Sequence, residues 1–374
     1  MASDLPIFML SNPASGGEKG AALMSLGVPE IRLVDESASL NVLVHLADIR
    51  TGNTGDKPIF KTIKNEVDSR SKEDGIIRVI VAGGDGTVMW ALSELEAHGV
   101  SSDRVAVGVL PFGTGNDFSR STGFGGNSPL IVIGRNMAGL KRIISRYLKA
   151  DISPFDIWKI TVKVKDGGSI KKIKNGKKVP VTDSLDMTKL CCNYFSVGVD
   201  GRIGMGFDRN RTSSACCNKT VYICEGFKKS LWRTNTIASM IESLTCAGES
   251  VPIDKSTRRS KGVSMVFMNV PSIAGGTDLW KCTGSTELQT FSDGKIEAMI
   301  VPSVPSFLMA NVPFLKNGAV EALASRSGPF SLKFKEMKDT RCYIQIDGEF
   351  FQLELPDEMS IEHYSSVQVM IGKS

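Results

Sequence analysis

Gly83-Gly84-Asp85-Gly86-Thr87 stands directly behind the apolar run 76–82, IIRVIVA. Residues without side chains let backbone N–H groups close on an anion, and a helix starting there adds the positive end of its dipole. The chemistry on offer is phosphate binding. Asp85 is the odd member, because a carboxylate in such a turn repels phosphate unless it holds Mg²⁺ or takes a proton. Two other stretches share the texture: Ser11-Asn12-Pro13-Ala14-Ser15-Gly16-Gly17 behind Phe8-Met9-Leu10, and Phe112-Gly113-Thr114-Gly115-Asn116-Asp117 behind the apolar run 105–110. One Gly-Gly-x-Gly turn can reflect backbone geometry alone. Three of them, each after an apolar run, can face one pocket. Near the other end of the chain lies Asp347-Gly348-Glu349. Its bland reading is a hairpin, since Asp-Gly between strands is the strongest short hairpin signal.

The elements that must position these residues follow from hydrophobic pattern. Run 76–82 is short, rich in β-branched residues and not alternating, which reads as a buried strand of a parallel sheet. Behind it Val88, Ala91, Leu92 and Leu95 recur at helical spacing. Ligands of such open α/β sheets sit at the carboxyl ends of the strands. The rest of 1–150 alternates in the same way, with a short helix at 20–26, a strand at 30–34 leading to a polar stretch, and helices at 59–67 and 136–149. The basic residues of that last helix, Lys141, Arg142 and Arg146, read as a solvated face.

At Asp151 the texture changes. Residues 155–164 alternate with period two, a strand with one wet face. β-like segments then predominate at 193–199, 262–270, 295–302, 330–335, 341–346 and 350–355, with one substantial helix expected over 222–244. The pattern predicts a second, mainly antiparallel β domain, with an interdomain cleft as the ligand site. The proline-broken apolar stretch 300–315 reads as core rather than lipid-facing surface.

Composition bounds the classes. With 374 residues, 41% of them hydrophobic, the chain can bury two cores. No apolar run approaches the ~20 residues of a membrane span, and the start MASDLPIF has no signal-peptide pattern. The 8 cysteines include the adjacent pairs Cys191-Cys192 and Cys216-Cys217 and no CxxC, which suggests reduced thiols and a reducing compartment. The 3 histidines, His45, His98 and His363, form no HExxH, so a histidine-bound metal is not expected. Nucleic-acid binding would rest on a net charge of only +5 and is not expected.

In combination the motifs resemble a known family. NPASGG (12–17), GGDGTVMW (83–90) and LPFGTGNDFSR (110–120) are similar to the catalytic domain of eukaryotic-type diacylglycerol kinases. NYFSVGVDG (193–201), NVPSIAGGTDLW (269–280), SDGKIE (292–297) and QIDGE (345–349) are similar to the accessory domain of the same enzymes. The resemblance covers essentially the whole chain. It implies an α/β nucleotide-binding domain over 1–150, an accessory β-sandwich over 151–356 and a tail, 357–374, that can return to the first domain as a strand. No cysteine-rich or calcium-binding module is evident, so the chain looks like a bare catalytic core.

The resemblance further implies ATP lined by Asn12, Ser15, Gly16, Gly83, Gly84, Gly86, Thr87, Gly113, Thr114, Gly115 and Asn116. It places Mg²⁺ at Asp85 and Asp347, with Asp293 matching a structural Mg²⁺ loop of bacterial lipid kinases. Asp347 is the favoured proton acceptor with Glu349 alongside, and Asp85 competes for that role. The acceptor would be diacylglycerol, met at a membrane surface by a cytoplasmic, peripherally associated enzyme. Walker-type GxxxxGK[ST] and the protein-kinase HRD and DFG signatures are absent. The run KKIKNGKK (171–178) is a candidate membrane contact or simply a solvated hairpin. Alternatives are a sphingoid-base or ceramide kinase, which shares the fold, and a non-catalytic lipid-binding relative, suggested by Phe112 where an aliphatic residue is commoner. A Rossmann dehydrogenase would want GxGxxG at the first turn, and NPASGG stands there.

Overall fold

The apolar runs that precede the glycine turns become neighbouring strands of one parallel sheet. The computed structural model describes residues 5–15, 18–35, 40–113, 115–210, 235–254, 256–309, 320–336 and 341–373. Two compact units emerge: Met1–Phe155 with Ala274–Gly276 and Ser366–Ser374, and Asp156–Ile273 with Thr277–Ser365. Two long strands, Asp151–Lys174 and Glu349–Ile371, run through the divisions between these units at 155 and 365.

In the first unit the chain order is β1 (Leu5–Ser11), α1 (Glu18–Met24), β2 (Glu30–Asp35), β3 (Leu40–Asp48), α2 (Pro58–Ser69), β4 (Ile77–Gly83), α3 (Asp85–Ala97), β5 (Val105–Pro111), α4 (Asp117–Ser121) and α5 (Ala138–Leu148). β1 runs parallel to β3 and β4, β4 parallel to β5, and β2 closes an edge antiparallel to β3. All seven residues of β5 are buried, which is why it reads as an unbroken apolar run. Ile7, Met9 and Ile80 pack with Leu140 and Ile144 of α5, while α2 buries Phe60, Ile63 and Val67. β3 is absent from the sequence reading, which saw a polar stretch there. Its Val42, Val44 and Leu46 are buried in alternation with more exposed neighbours, the pattern of a strand with one face fully buried.

The second unit contains β6 (Asp151–Lys174), β7 (Lys177–Pro180), β8 (Asp186–Cys191), β9 (Tyr194–Gly198), α6 (Val199–Asn210), β10 (Ile241–Cys246), β11 (Glu249–Ser250), β12 (Ser264–Met268), β13 (Ile296–Val301), β14 (Glu321–Arg326), β15 (Phe330–Phe334), β16 (Cys342–Ile346) and β17 (Glu349–Ile371). Antiparallel pairing runs β14–β13–β12–β9–β16–β17, and β17 continues to β15 and β10. Trp158, Phe195, Phe267, Phe330 and Phe351 share one core. The last turns of β17 belong to the first unit, where Gln368 and Val369 lie parallel to Ala106 and Val107 of β5.

The helix expected over 222–244 needs correction at its end. Residues 211–234 lie outside the described residues, Ile237–Met240 is a single turn, and Ile241 begins β10. Ile241 and Leu244 are buried against β15, and that pairing overrides their helical spacing. Of 300–315, the described part ends at 309; Ile300 and Val301 are core strand.

Candidate active site

The first unit brings the three turns together through its strand register. Ser11 of β1 lies beside Ala82 of β4, and Gly83 beside Pro111 of β5. Backbone bonds tie the turns themselves: Asn12 N–H donates to the Ala82 carbonyl at 3.1 Å and Phe112 N–H to the Gly83 carbonyl at 2.9 Å. Two glycines are required by contact. A Cβ on Gly113 would stand 2.7 Å from the Gly84 Cα, and one on Gly84 would stand 3.1 Å from the Gly113 Cα. Backbone thus packs on backbone, while Gly86 faces open space. Gly16 and Thr114 lie outside the described residues.

The polar side chains of these turns largely serve the turns. Asn12 Oδ1 accepts the Ala14 N–H at 3.0 Å. Asn116, in a left-handed conformation and 3% exposed, donates both Nδ2 hydrogens, to the Gly113 carbonyl at 3.0 Å and the Gly126 carbonyl at 2.9 Å. Both amide hydrogens of Asn116, a residue the resemblance implies at the ATP site, are therefore occupied inside the loop. Ser15 N–H returns to the Asn12 carbonyl, and Thr87 packs under Gly83.

Asp85 opens α3, immediately after Gly84, so its carboxylate sits in the positive field of a 13-residue helix. Its Oδ2 accepts the Asp117 N–H at 3.0 Å, joining the second turn to the third. Asp117, buried in α4, in turn accepts the Gly275 N–H at 3.0 Å through Oδ1. Ala274, Gly275 and Gly276 all have positive φ, and this tight loop belongs to the first unit. Sequence reasoning quoted the loop but did not assign it to the nucleotide turns. Its partner is 158 residues away, a separation no local signal spans.

In the second unit, Asp347 and Gly348 are the two central residues of the β16–β17 hairpin, with φ of 45° and 82°. The hairpin reading and the acidic motif are thus the same object. The Asp347 carboxylate accepts backbone N–H bonds from Cys192 at 2.7 Å, Asn193 at 2.9 Å and Tyr194 at 3.1 Å, and the Cys191 thiol donates to it at 3.3 Å. Burial pushes the Asp347 carboxyl up from its ordinary value, against the pull of the three backbone donors. Burial and that neighbouring carboxylate push the Cys191 thiol well up, so it stays protonated and donates. Glu349 is exposed and pairs with Lys189 at 2.5 Å.

Asp293 is exposed and accepts the Lys295 N–H at 3.0 Å, a turn-forming bond. The adjacent Gly294 N–H donates to Asp156 Oδ2 at 2.7 Å, and His363 Nε2 lies 2.9 Å from Asp156 Oδ1. Asp156 escaped the sequence reading because it sits inside an alternating strand pattern, and the pairing with His363 spans 207 residues. Among the described residues, no three His, Cys, Asp or Glu side chains converge as a metal cage.

A parallel sheet ending in glycine-rich turns and followed by an antiparallel unit matches the fold of a crystallised diacylglycerol kinase from Bacillus anthracis str. Sterne. The likeness covers 100% of this chain and 98% of that one, at a TM-score of 0.50 and 16% identity, and is one of fold. Residues 6–142 match the diacylglycerol kinase catalytic domain and residues 190–350 the diacylglycerol kinase accessory domain. The chain belongs to the diacylglycerol kinase family. It is 27% identical over 407 residues to Diacylglycerol kinase 3 of Arabidopsis thaliana, covering 96% of this chain and 79% of that protein. It is 27% identical over 283 residues to Probable diacylglycerol kinase 3 of Caenorhabditis elegans, covering 74% of this chain and 31% of the relative. Diacylglycerol kinase iota of Homo sapiens is 25% identical over 355 residues, with 92% and 29% covered. The chain thus spans less than a third of the nematode and human proteins.

Proposed function

We propose that this chain transfers the γ-phosphoryl group of ATP to diacylglycerol, giving phosphatidic acid, at a cytoplasmic membrane surface. The observation that carries the reading is the junction of three turns at the ends of parallel strands, with Asp85 at its centre. Phosphoryl transfer needs positioning and charge neutralisation more than covalent help. Backbone N–H groups around Gly84–Gly86 and at Gly113 and Gly115 would supply donors, and the close Gly84–Gly113 contact keeps both turns at a fixed spacing.

Mg²⁺ supplies neutralisation of phosphate charge when bound. The residues fit an ion carried by the nucleotide with one or two carboxylates, Asp85 foremost, rather than a cage of protein ligands. For the proton acceptor the geometry favours Asp85 over Asp347. A carboxylate offers about four lone-pair sites, and Asp347 already meets four donors. In this reading Asp347 positions the Cys191–Tyr194 turn, and Asp293 shapes its own turn.

We infer that the second unit is a β-sandwich. β17 pairs with β16 through 349–353 and with β15 through 358–361, changing direction at Leu355, where φ is 51°. The lysine hairpin β6–β7 has Lys171 paired with Glu354 and Lys178 with Gln352. Lys172, Lys174 and Lys177 remain for anionic lipid, at about 1 kcal/mol each near the surface. Among the described residues no helix is long and apolar enough to cross a membrane.

The test is transfer of labelled γ-phosphate to diacylglycerol, ceramide and sphingosine in mixed micelles. Phosphatidic acid from the wild type, lost in Asp85→Asn, is the expected result. A preference for ceramide or sphingosine overturns the acceptor. ATP binding without transfer to any of the three overturns the enzyme reading in favour of a lipid-binding relative.

A further inference from the structure

The loop between α4 and α5 keeps an apolar pair in water. Leu130 is 97% exposed and Ile131 59% exposed, side by side. Single exposed apolar residues are ordinary, but this pair is held in place from both sides. Upstream, Ser128 Oγ donates to the Pro111 carbonyl at 2.7 Å, and Asn116 reaches the Gly126 carbonyl. Downstream, Val132 is buried, and the Ile133 carbonyl accepts the Gly139 N–H at 2.8 Å. A Cβ on Gly139 would stand 2.7 Å from the Ile131 carbonyl, so the loop lies directly against the first turn of α5. The backbone of the tip is therefore anchored on both sides of the apolar pair.

Charge along the segment that carries the tip has one sign. From Phe118 to Ala150 the chain contains no Asp or Glu and six basic residues, Arg120, Arg135, Lys141, Arg142, Arg146 and Lys149. All six are exposed. Arg146 is engaged, donating to the Gly123 carbonyl and lying over the Phe124 ring. Arg135, Lys141, Arg142 and Lys149 form no ion pair among the described residues. On α5 the buried residues are Leu140, Ile143, Ile144 and Tyr147, which turns Lys141 and Arg142 outward. An exposed apolar tip on a segment whose charges are all basic matches a bilayer interface. Apolar side chains pass below the headgroups while basic side chains stay at the phosphates.

We propose that Leu130 and Ile131 insert into the interface of an anionic bilayer, steadied by Arg135, Lys141 and Arg142. This deepens the diacylglycerol reading and rests on it, because an acceptor held in a bilayer requires the first unit to meet one. The same loop is stapled to the nucleotide turn through Asn116, so docking and the phosphate-binding turns share one rigid segment.

The test is sedimentation of the full chain with vesicles of phosphatidylcholine alone or mixed with phosphatidylserine, without ATP. Leu130→Asp/Ile131→Asp is expected to lower vesicle partitioning by about tenfold or more. Replacing Arg135, Lys141 and Arg142 by glutamine is expected to remove the preference for phosphatidylserine and its sensitivity to salt. Thermal midpoints and ATP binding of each variant check the fold. Leu130→Trp keeps the tip apolar, and its added fluorescence is expected to be quenched by brominated lipid. Partitioning within twofold of wild type for the aspartate variant overturns the proposal, as does absence of quenching. A changed sedimentation coefficient in solution, with vesicle binding retained, overturns it in favour of contact with a second copy. Wild-type activity in detergent micelles is scored separately, so loss of the kinase reading and loss of the docking surface are distinguishable.

Discussion

The glycine turns of the first unit and the Asp-Gly hairpin of the second carry equally short acidic motifs, yet use them in opposite ways. At Gly83–Thr87 Gly84 packs against the next turn, Gly86 faces an open volume, and Asp85 stands at a helix start between two turns. At Asp347–Gly348 the chain folds back on itself, and the carboxylate is bound by the turn from Cys191 to Tyr194. A motif's chemistry thus depends on what its carboxylate faces. The first ties the start of a helix to the neighbouring turn; the second faces backbone donors of a neighbouring strand connection.

The sharpest break of this comparison is kinetic. Asp85→Asn is expected to lower phosphoryl transfer by about 10²-fold or more, with little change in unfolding midpoint. If Asp347→Asn instead shows the larger loss, and abolishes the pH dependence of kcat, the roles of the two carboxylates are reversed. Asp347→Ala is expected to cost about 2–4 kcal/mol in stability, since three backbone donors and a thiol lose their acceptor. Chemical denaturation measures this directly, and an unchanged midpoint would remove the positioning role.

Glu297 provides a control for acidity in the second unit away from the hairpin. It is 1% exposed, and burial, with Asp293 adding to it, pushes its carboxyl up from 4.5 to about 7. Between these values the folded state keeps a proton that the unfolded state releases. Stability therefore falls as pH rises from 4.5 to about 7 and levels off above it. The contribution is bounded at ~3 kcal/mol. Glu297→Gln is expected to flatten this slope in thermal unfolding series; an unaltered slope would place the titration elsewhere.

Gly113→Ala probes the loop contact with the smallest chemical change. Its Cβ would meet the Gly84 Cα at 2.7 Å, and neither backbone can yield cheaply. A cost of about 1–3 kcal/mol is expected, with weaker ATP binding by calorimetry. Intact binding would separate the turn packing from the nucleotide site.

Local pattern made much of the first unit legible. Buried strands such as Val105–Pro111 announce themselves as unbroken apolar runs, and helices such as Ala138–Leu148 by spacing. The strand Leu40–Asp48, paired with β1 on one side and β2 on the other, was missed because its buried residues alternate with more exposed ones. Ile241–Cys246 was misread because helical spacing over a few residues is also compatible with a strand once a partner exists.

What the sequence determined by itself was the inventory: three glycine turns behind apolar runs, an Asp-Gly hairpin signal, and a segment from 118 to 150 without a single acidic residue. Tertiary structure decided how the inventory is spent. It joined Asp117 to Gly275, closed Asn116 on its own loop, gave Asp347 four donors from a distant turn, and left Leu130 standing in water. The physical reason is that residue type sets which bonds and charges are available. Which of them are used inward depends on neighbours that pattern and spacing do not encode.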